Sequence, residues 1–88
     1  MEFEWDEEKN KANIRKHKIS FEIATKVFGD MMRIEAYDQR HSMLEDRYAT
    51  IGYVGKFLFV VYTDRGDVTR MISARKASPE EKEKMLSN

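Results

Sequence analysis

The most pronounced pattern of apolar and polar positions lies in residues 56–77, where two β-type segments flank a short polar turn. In residues 57–63 both alternating sets of side chains are mainly apolar, which is typical of a strand covered on both faces. The turn contains Gly66, and glycine adopts positive φ without a steric penalty, so residues 68–74 are predicted to return antiparallel. We therefore predict a β-hairpin at the centre of a sheet.

The second strand of this hairpin carries arginines among apolar residues. A strict period of two places Arg70 and Arg75 on opposite faces. Because an unpaired buried guanidinium is energetically costly, each arginine must reach solvent, a carboxylate or a phosphate. Two interpretations are possible for Arg75 and for Arg65 at the turn: a salt bridge at the rim of the sheet or a contact with phosphate. The planar, charged guanidinium groups of these arginines suit phosphate.

Two helices are predicted near the start of the chain, after a brief strand at residues 3–5. Asp6 is a good N-cap, and helix 7–17 carries acids in its first turn and bases in its last, the order that the helix dipole favours. This helix has almost no apolar face, so its basic side chains indicate either a solvated surface or a docking surface for an anionic partner. Ser20 can cap a second helix, residues 21–28, whose broad apolar face is predicted to pack on the sheet.

The rest of the chain completes the sheet and adds a last helix. Residues 32–37 alternate like a strand with one face in water, and residues 47–54 form the next strand. The polar segment 38–46 between them is the kind of loop that often carries a site. Residues 78–81, SPEE, form a capping box that begins a short C-terminal helix.

These elements predict an α+β fold in the order β-α-α-β-β-β-β-α. The expected sheet is antiparallel with four to five strands, preceded by two N-terminal helices and followed by the short C-terminal one. A length of 88 residues indicates a single domain over residues 1–88, with a core of modest size.

Composition narrows the class of protein. The chain has no cysteine, so disulfides, thiolate metal ligands and cysteine nucleophiles are excluded. No segment approaches the ~18 consecutive apolar residues of a membrane helix, and the first residues lack the apolar run of a signal peptide. We expect a cytoplasmic protein without a membrane partner.

Charge is dense but balanced, with 16 Lys and Arg against 16 Asp and Glu. This balance argues against binding nucleic acid through an overall positive field. Basic residues are nevertheless concentrated in one short stretch, at Lys9, Lys11, Arg15, Lys16 and Lys18. Any anionic partner must therefore be recognised by a local patch.

The candidates for chemistry are groups that move protons or hold anions. The two histidines lie apart and lack further close ligands, so we expect no metal site, and no Gly-rich phosphate loop, nucleophile elbow or dinucleotide fingerprint indicates a cofactor. The remaining set suits metal-free RNA cleavage, in which the 2′-hydroxyl loses a proton, the phosphorane needs positive charge and the 5′-oxygen needs an acid. Its members are Lys16, His17, His41, Glu45, Arg47, Tyr48, Arg65 and Arg75.

Three longer motifs make this interpretation more specific. The runs FEWDEEKNKANIRKHKISFEIA, HSMLEDRYATIG and VVYTDRGDVTRMISARKA occur in this order and together span most of the chain. In these motifs the sequence resembles the BrnT family, the ribonuclease toxins of bacterial type II toxin–antitoxin pairs. One departure is GDMM at residues 29–32, where an acidic pair and often a proline would be expected after the helix.

The resemblance implies a compact RelE-like fold with an antiparallel sheet. It also implies RNA cleavage that needs no metal and blocks translation, and neutralisation by a BrnA-like antitoxin with a ribbon-helix-helix DNA-binding part. The toxin would then contact DNA only through that antitoxin. The positions that match the family motifs are Trp5, Asp6, Lys9, Asn13, Lys16, His17, His41, Ser42, Glu45, Arg47, Tyr62, Arg65, Arg70, Ser73 and Arg75.

Side-chain chemistry assigns roles within this set. Histidine can give or take a proton near neutral pH, so we predict that His41 is the acid or base. Arginine stays charged and offers two parallel donors, so Arg65 and Arg75 are predicted to hold the scissile phosphate. Glu45, Arg47 and Lys16 are predicted to orient or assist. The alternative is a non-catalytic module that binds RNA or an acidic protein through its basic first helix.

Overall fold

The structure is a computed structural model that describes residues 1–87. The elements follow the predicted order β-α-α-β-β-β-β-α, with two short 3-10 turns added. In chain order they are β1 (Glu2–Glu4), α1 (Glu7–His17), α2 (Phe21–Thr25), a 3-10 turn (Lys26–Gly29), β2 (Ile34–Tyr37), a 3-10 turn (Gln39–His41), β3 (Tyr48–Tyr53), β4 (Phe57–Arg65), β5 (Val68–Lys76) and α3 (Pro79–Ser87). Within residues 1–87, no helix has the length and apolar character needed to cross a membrane.

The five strands form one mixed sheet in the order β1-β5-β4-β3-β2. The central hairpin is confirmed, and β4 lies in the middle of the sheet, with Gly66 at φ 65° in its turn. The prediction of an antiparallel sheet is wrong at one edge, because β1 pairs parallel with β5. A tight turn forces neighbouring strands to be antiparallel, but β1 pairs with a strand from the far end of the chain, so no turn sets its direction.

The main core lies between one face of the sheet and the second helix. On β4, Leu58, Val60 and Tyr62 point toward this core face, where they meet the fully buried Phe21 and Ala24. The second helix is shorter than predicted, because its last turn tightens into the 3-10 turn that carries buried Val27. The predicted packing of this helix on the sheet is confirmed.

A β-bulge changes which side chains of β5 share a face. Val61 pairs with Ser73 while Tyr62 pairs with Met71, so Ile72 is an extra residue between two paired positions. The predicted separation of the two arginines is therefore wrong. Arg70 lies opposite Thr63 and Arg75 lies opposite Phe59, and these two β4 residues belong to the same alternating set. Both arginines thus lie on the second face, away from the core face.

The first helix begins and ends at the predicted residues, and Asp6 caps it by accepting from the backbone N–H groups of Glu8 and Lys9. Its buried side chains are polar: Asn10 and Asn13. The amide of Asn13 donates to the carbonyl oxygen of Ala74 at 2.8 Å and accepts from its N–H at 3.1 Å. The helix is thus attached to β5 by hydrogen bonds rather than by an apolar stripe.

The last helix covers part of the second face. The predicted capping box is present, because Ser78 N–H donates to Glu81 Oε1 at 2.8 Å and Glu81 N–H donates to Ser78 Oγ at 3.2 Å. Of its two expected apolar anchors, Met85 is buried and Leu86 is exposed. Because α3 covers only one end of the second face, the remainder of that face is an open groove.

Candidate active site

The groove on the second face has a volume of about 530 Å³. Small and apolar side chains from the strands form its floor, among them Ala49 and Val61. Arg75 of β5 lies on one side, while His41 and Arg47 lie on the other, at the two ends of the β2–β3 loop. Three of the six predicted site residues therefore line one groove.

His41 is held by the turn that begins the β2–β3 loop. Asp38 caps this 3-10 turn, since its Oδ1 accepts from the His41 backbone N–H at 3.3 Å. The other oxygen, Oδ2, lies 2.9 Å from His41 Nδ1. This hydrogen bond with the His41 ring is the main reason that the pKa of Asp38 is lowered from its ordinary value.

The base of the loop is closed by backbone and hydroxyl contacts. Asp38 N–H donates to the carbonyl oxygen of Arg47 at 2.8 Å. Ser42 Oγ accepts from the Arg47 N–H at 2.9 Å and donates to the carbonyl oxygen of Asp38. These bonds join the two ends of the loop, so His41 and Arg47 are presented together at the groove.

Arg75 forms a bidentate pair with Glu81 of α3, with both N···O distances at 2.8 Å. Its guanidinium also lies over the Phe59 ring, 4.2 Å from the centroid. The shared hydrogen bonds raise the pKa of Arg75 and lower that of Glu81. The salt bridge considered for this arginine is thus present, at the edge of the groove that Arg75 lines.

Glu45 and Arg65 form a second cluster beside the groove. Arg65 Nε and Nη2 lie 3.3 and 3.2 Å from the Glu45 oxygens, and Arg70 lies 2.7 Å from Glu4 of β1. Mutual hydrogen bonding lowers the pKa of Glu45 and raises that of Arg65. This cluster connects the β2–β3 loop to the hairpin turn, and Arg65 is paired with a carboxylate there, as Arg75 is with Glu81.

The other candidates lie elsewhere. Lys16 is exposed in the last turn of α1 and is not one of the described residues that line the groove. His17 is in the same turn. Tyr48 pairs with Tyr62 on the core face, where the rings stack at 5.8 Å, and burial raises its pKa.

Sequence reasoning missed two residues that contact the predicted site. Asp38 was available as an aspartate three positions before a histidine, the spacing at which a cap reaches back to its own turn. The sequence indicates only a capping role for Glu81, because its contact with Arg75 depends on how α3 folds back onto the sheet. In the part of the chain that the structure describes, no three His, Asp or Glu side chains are grouped as metal ligands would be.

A family model described as "Ribonuclease toxin, BrnT, of type II toxin-antitoxin system" matches residues 5–81 of this chain. The chain belongs to the BrnT family. A solved relative, the ribonuclease toxin BrnT of Brucella abortus, has a TM-score of 0.67 at 27% sequence identity, and the match covers 89% of this chain and 97% of that one. No curated protein gives a significant match.

Membership of the BrnT family makes this chain a ribonuclease toxin of a type II toxin–antitoxin system. An RNA target and an antitoxin partner follow from that class. The α+β fold with a five-stranded mixed sheet and three helices agrees with the Brucella structure.

Proposed function

We propose that this BrnT-family toxin is a metal-independent endoribonuclease that cleaves RNA in the groove between His41 and Arg75. The observation that supports this most directly is the groove itself, which presents one proton-transfer group and two arginines on an open surface. Cleavage of RNA in the cytoplasm would block translation, as in RelE-like toxins. The set provides one of the two proton-transfer groups that metal-free cleavage uses, together with fixed positive charge.

The reaction can be written with the groups in the groove. The 2′-hydroxyl gives its proton to a base, its oxygen attacks phosphorus, and the bond from phosphorus to the 5′-oxygen breaks as that oxygen receives a proton. The products are a 2′,3′-cyclic phosphate and a 5′-hydroxyl. His41 serves as the base or as the acid, because imidazole can carry a proton in either direction. Solvent water, which reaches the open groove, takes or supplies the other proton.

Arg75 and Arg47 are the arginines that line the groove together with that histidine. In this proposal Arg75 holds the scissile phosphate, whose oxygens take the place of the Glu81 carboxylate on its two donors. Arg47 assists from the opposite side. Glu45 and Arg65 keep the loop in position through their ion pair, and Lys16 assists only with RNA that extends beyond the groove.

The test compares His41→Ala with His17→Ala, since the chain has two histidines and the second lies outside the groove. We expect His41→Ala to stay folded and to cleave a labelled single-stranded RNA roughly 10²- to 10⁴-fold more slowly, as for loss of a general acid or base. Arg75→Ala should raise the barrier by about 3 kcal/mol. His17→Ala should cleave at the unmutated rate.

EDTA should leave the rate of the unmutated protein unchanged. Cleavage by His41→Ala at the unmutated rate would refute the residue assignment, and loss of cleavage in EDTA would refute the metal-free mechanism. Growth arrest on expression distinguishes the toxin from a non-catalytic binding module, which would be harmless. Relief of arrest by a neighbouring gene product with a ribbon-helix-helix pattern would support a BrnA-like antitoxin.

A further inference from the structure

The hydrogen bond between Asp38 and the His41 ring has a defined polarity. A carboxylate only accepts hydrogen bonds, and the pKa of Asp38 is lowered by this contact, so Asp38 stays ionised at neutral pH. His41 Nδ1 at 2.9 Å must therefore be the donor. In the neutral ring this leaves Nε2 without a proton, which makes it the nitrogen that can accept one.

We propose that Asp38 is a positioning residue that holds the His41 ring with Nδ1 protonated and Nε2 available for proton transfer. This inference rests on the proposed role of His41 in cleavage. The His41 side chain is 64% exposed, whereas that of Asp38 is 22% exposed and its backbone is bonded to Arg47 and Ser42. A well-anchored carboxylate thus restrains a histidine that would otherwise rotate freely in solvent.

The two oxygens of Asp38 have separate contacts, and this allows positioning to be distinguished from capping. Oδ1 caps the turn and Oδ2 contacts the ring. Asp38→Asn keeps an oxygen for the cap but replaces the other oxygen with an N–H₂ donor. That donor favours an unprotonated Nδ1 and moves the ring proton to Nε2, which is the wrong form for a base.

The test measures RNA cleavage and the state of the histidine ring in the full chain. We expect Asp38→Asn to lower kcat by about 10- to 100-fold, with KM for a labelled single-stranded RNA changing by no more than about twofold. Asp46→Asn is the matched control, because Asp46 is in the same loop but accepts from the Tyr37 hydroxyl at 2.9 Å. This control should keep the unmutated kcat.

Nitrogen NMR of the imidazole rings supplies a readout that a purely structural role would not move. In the unmutated protein the neutral His41 ring should carry its proton on Nδ1, and Asp38→Asn should shift the proton to Nε2, while His17 serves as an internal reference. Unchanged kcat in Asp38→Asn, equal losses in Asp38→Asn and Asp46→Asn, or a ring proton on Nε2 in the unmutated protein would each overturn the inference. Failure of the proposed function would appear differently, as full cleavage by His41→Ala.

Discussion

At the scale of single residues, Glu81 both caps α3 and pairs with Arg75, and replacing its carboxylate by an amide affects mainly the second of these roles. One oxygen closes the capping box of α3 by accepting from Ser78 N–H, and both oxygens bind the guanidinium of Arg75. The pair lies at the edge of the proposed site, so it joins the docking of α3 to the orientation of an arginine that we place on the phosphate. The same carboxylate is therefore relevant to both stability and activity.

Replacing Glu81 by Gln should reduce the free energy of unfolding at neutral pH by no more than about 1 kcal/mol, since Arg75 is partly exposed and solvent screens the pair. The amide oxygen can still accept from Ser78, so the helix cap is kept. Urea unfolding of both proteins provides the measurement. Glu80→Gln is the matched control, because it removes a first-turn charge that is exposed and should leave the unfolding free energy within about 0.5 kcal/mol of the original.

The pH dependence of this difference has a definite sign. The pKa of Glu81 is lowered in the folded protein, so its contribution is complete above the ordinary glutamate value of about 4.3 and is lost as pH falls through the lower folded value. The unmutated protein and Glu81→Gln should therefore converge in stability in acid. A difference that stays constant or grows as the pH falls below the ordinary glutamate range would contradict the assignment of the lowered pKa to the Arg75 pair.

At the scale of elements, α1 shows how a helix without an apolar stripe can still be fixed in place. Asn13 binds both backbone groups of Ala74 and donates to the carbonyl oxygen of Ile19, while Asn10 accepts from Phe21 N–H. The two contacts with Ala74 lie on β5 beyond the short region paired with β1, so Asn13 takes the place of a neighbouring strand there. Asn13 in the family motif thus has a structural role.

Asn13→Ala should lower the free energy of unfolding by about 2–4 kcal/mol, because it leaves the buried N–H and C=O groups of Ala74 without their partner. Alanine favours the helix more than asparagine does, so a helix-propensity effect would act in the opposite direction. Arg15→Ala, at an exposed position of the same helix, should change stability by no more than about 0.5 kcal/mol. Equal stabilities of the two variants in urea unfolding would show that the Asn13 contacts are not what secures α1.

At the scale of the whole molecule, local patterns predicted the elements better than their arrangement. The order of the elements and the central hairpin follow from alternation, capping residues and Gly66, all of which act within a few residues. The parallel pairing of β1 depends on a contact between the two ends of the chain. The bulge at Ile72 is also absent from any local pattern, because both of its neighbours suit a regular strand.

The candidate site shows the same division. Residue chemistry selected His41, Arg47 and Arg75, and the structure brings these three to one groove. Strict alternation would have placed Arg75 on a face opposite to Arg70, and the bulge is what puts both on the second face. Tyr48 follows from residue type alone, and Lys16 from residue type and a matching motif, neither of which tells which side chains share one face of the folded protein.

The arrangement of the molecule also separates the groove from the basic surface of α1. Lys9, Lys11 and Arg15 are exposed, whereas the side of the helix that meets the rest of the protein is formed by its asparagines. A basic surface that contributes little to the toxin's own core is suited to an acidic segment of the antitoxin. RNA cleavage and antitoxin association are thus predicted to respond to different substitutions.

Reversing Lys9, Lys11 and Arg15 together to Glu should slow association with the antitoxin and flatten the dependence of the association rate on salt. The reason is that exposed charges act mainly through long-range attraction, which salt screens within about 10 Å at 0.1 M. Stopped-flow mixing at several salt concentrations measures both effects, and circular dichroism checks that the fold is kept. His17→Ala, in the same helix, removes no lysine or arginine, so it is the control and should associate normally. Unchanged association kinetics in the triple variant would show that α1 is not the antitoxin surface. RNA cleavage by the triple variant near the unmutated rate would show that the groove acts independently of the basic surface of α1.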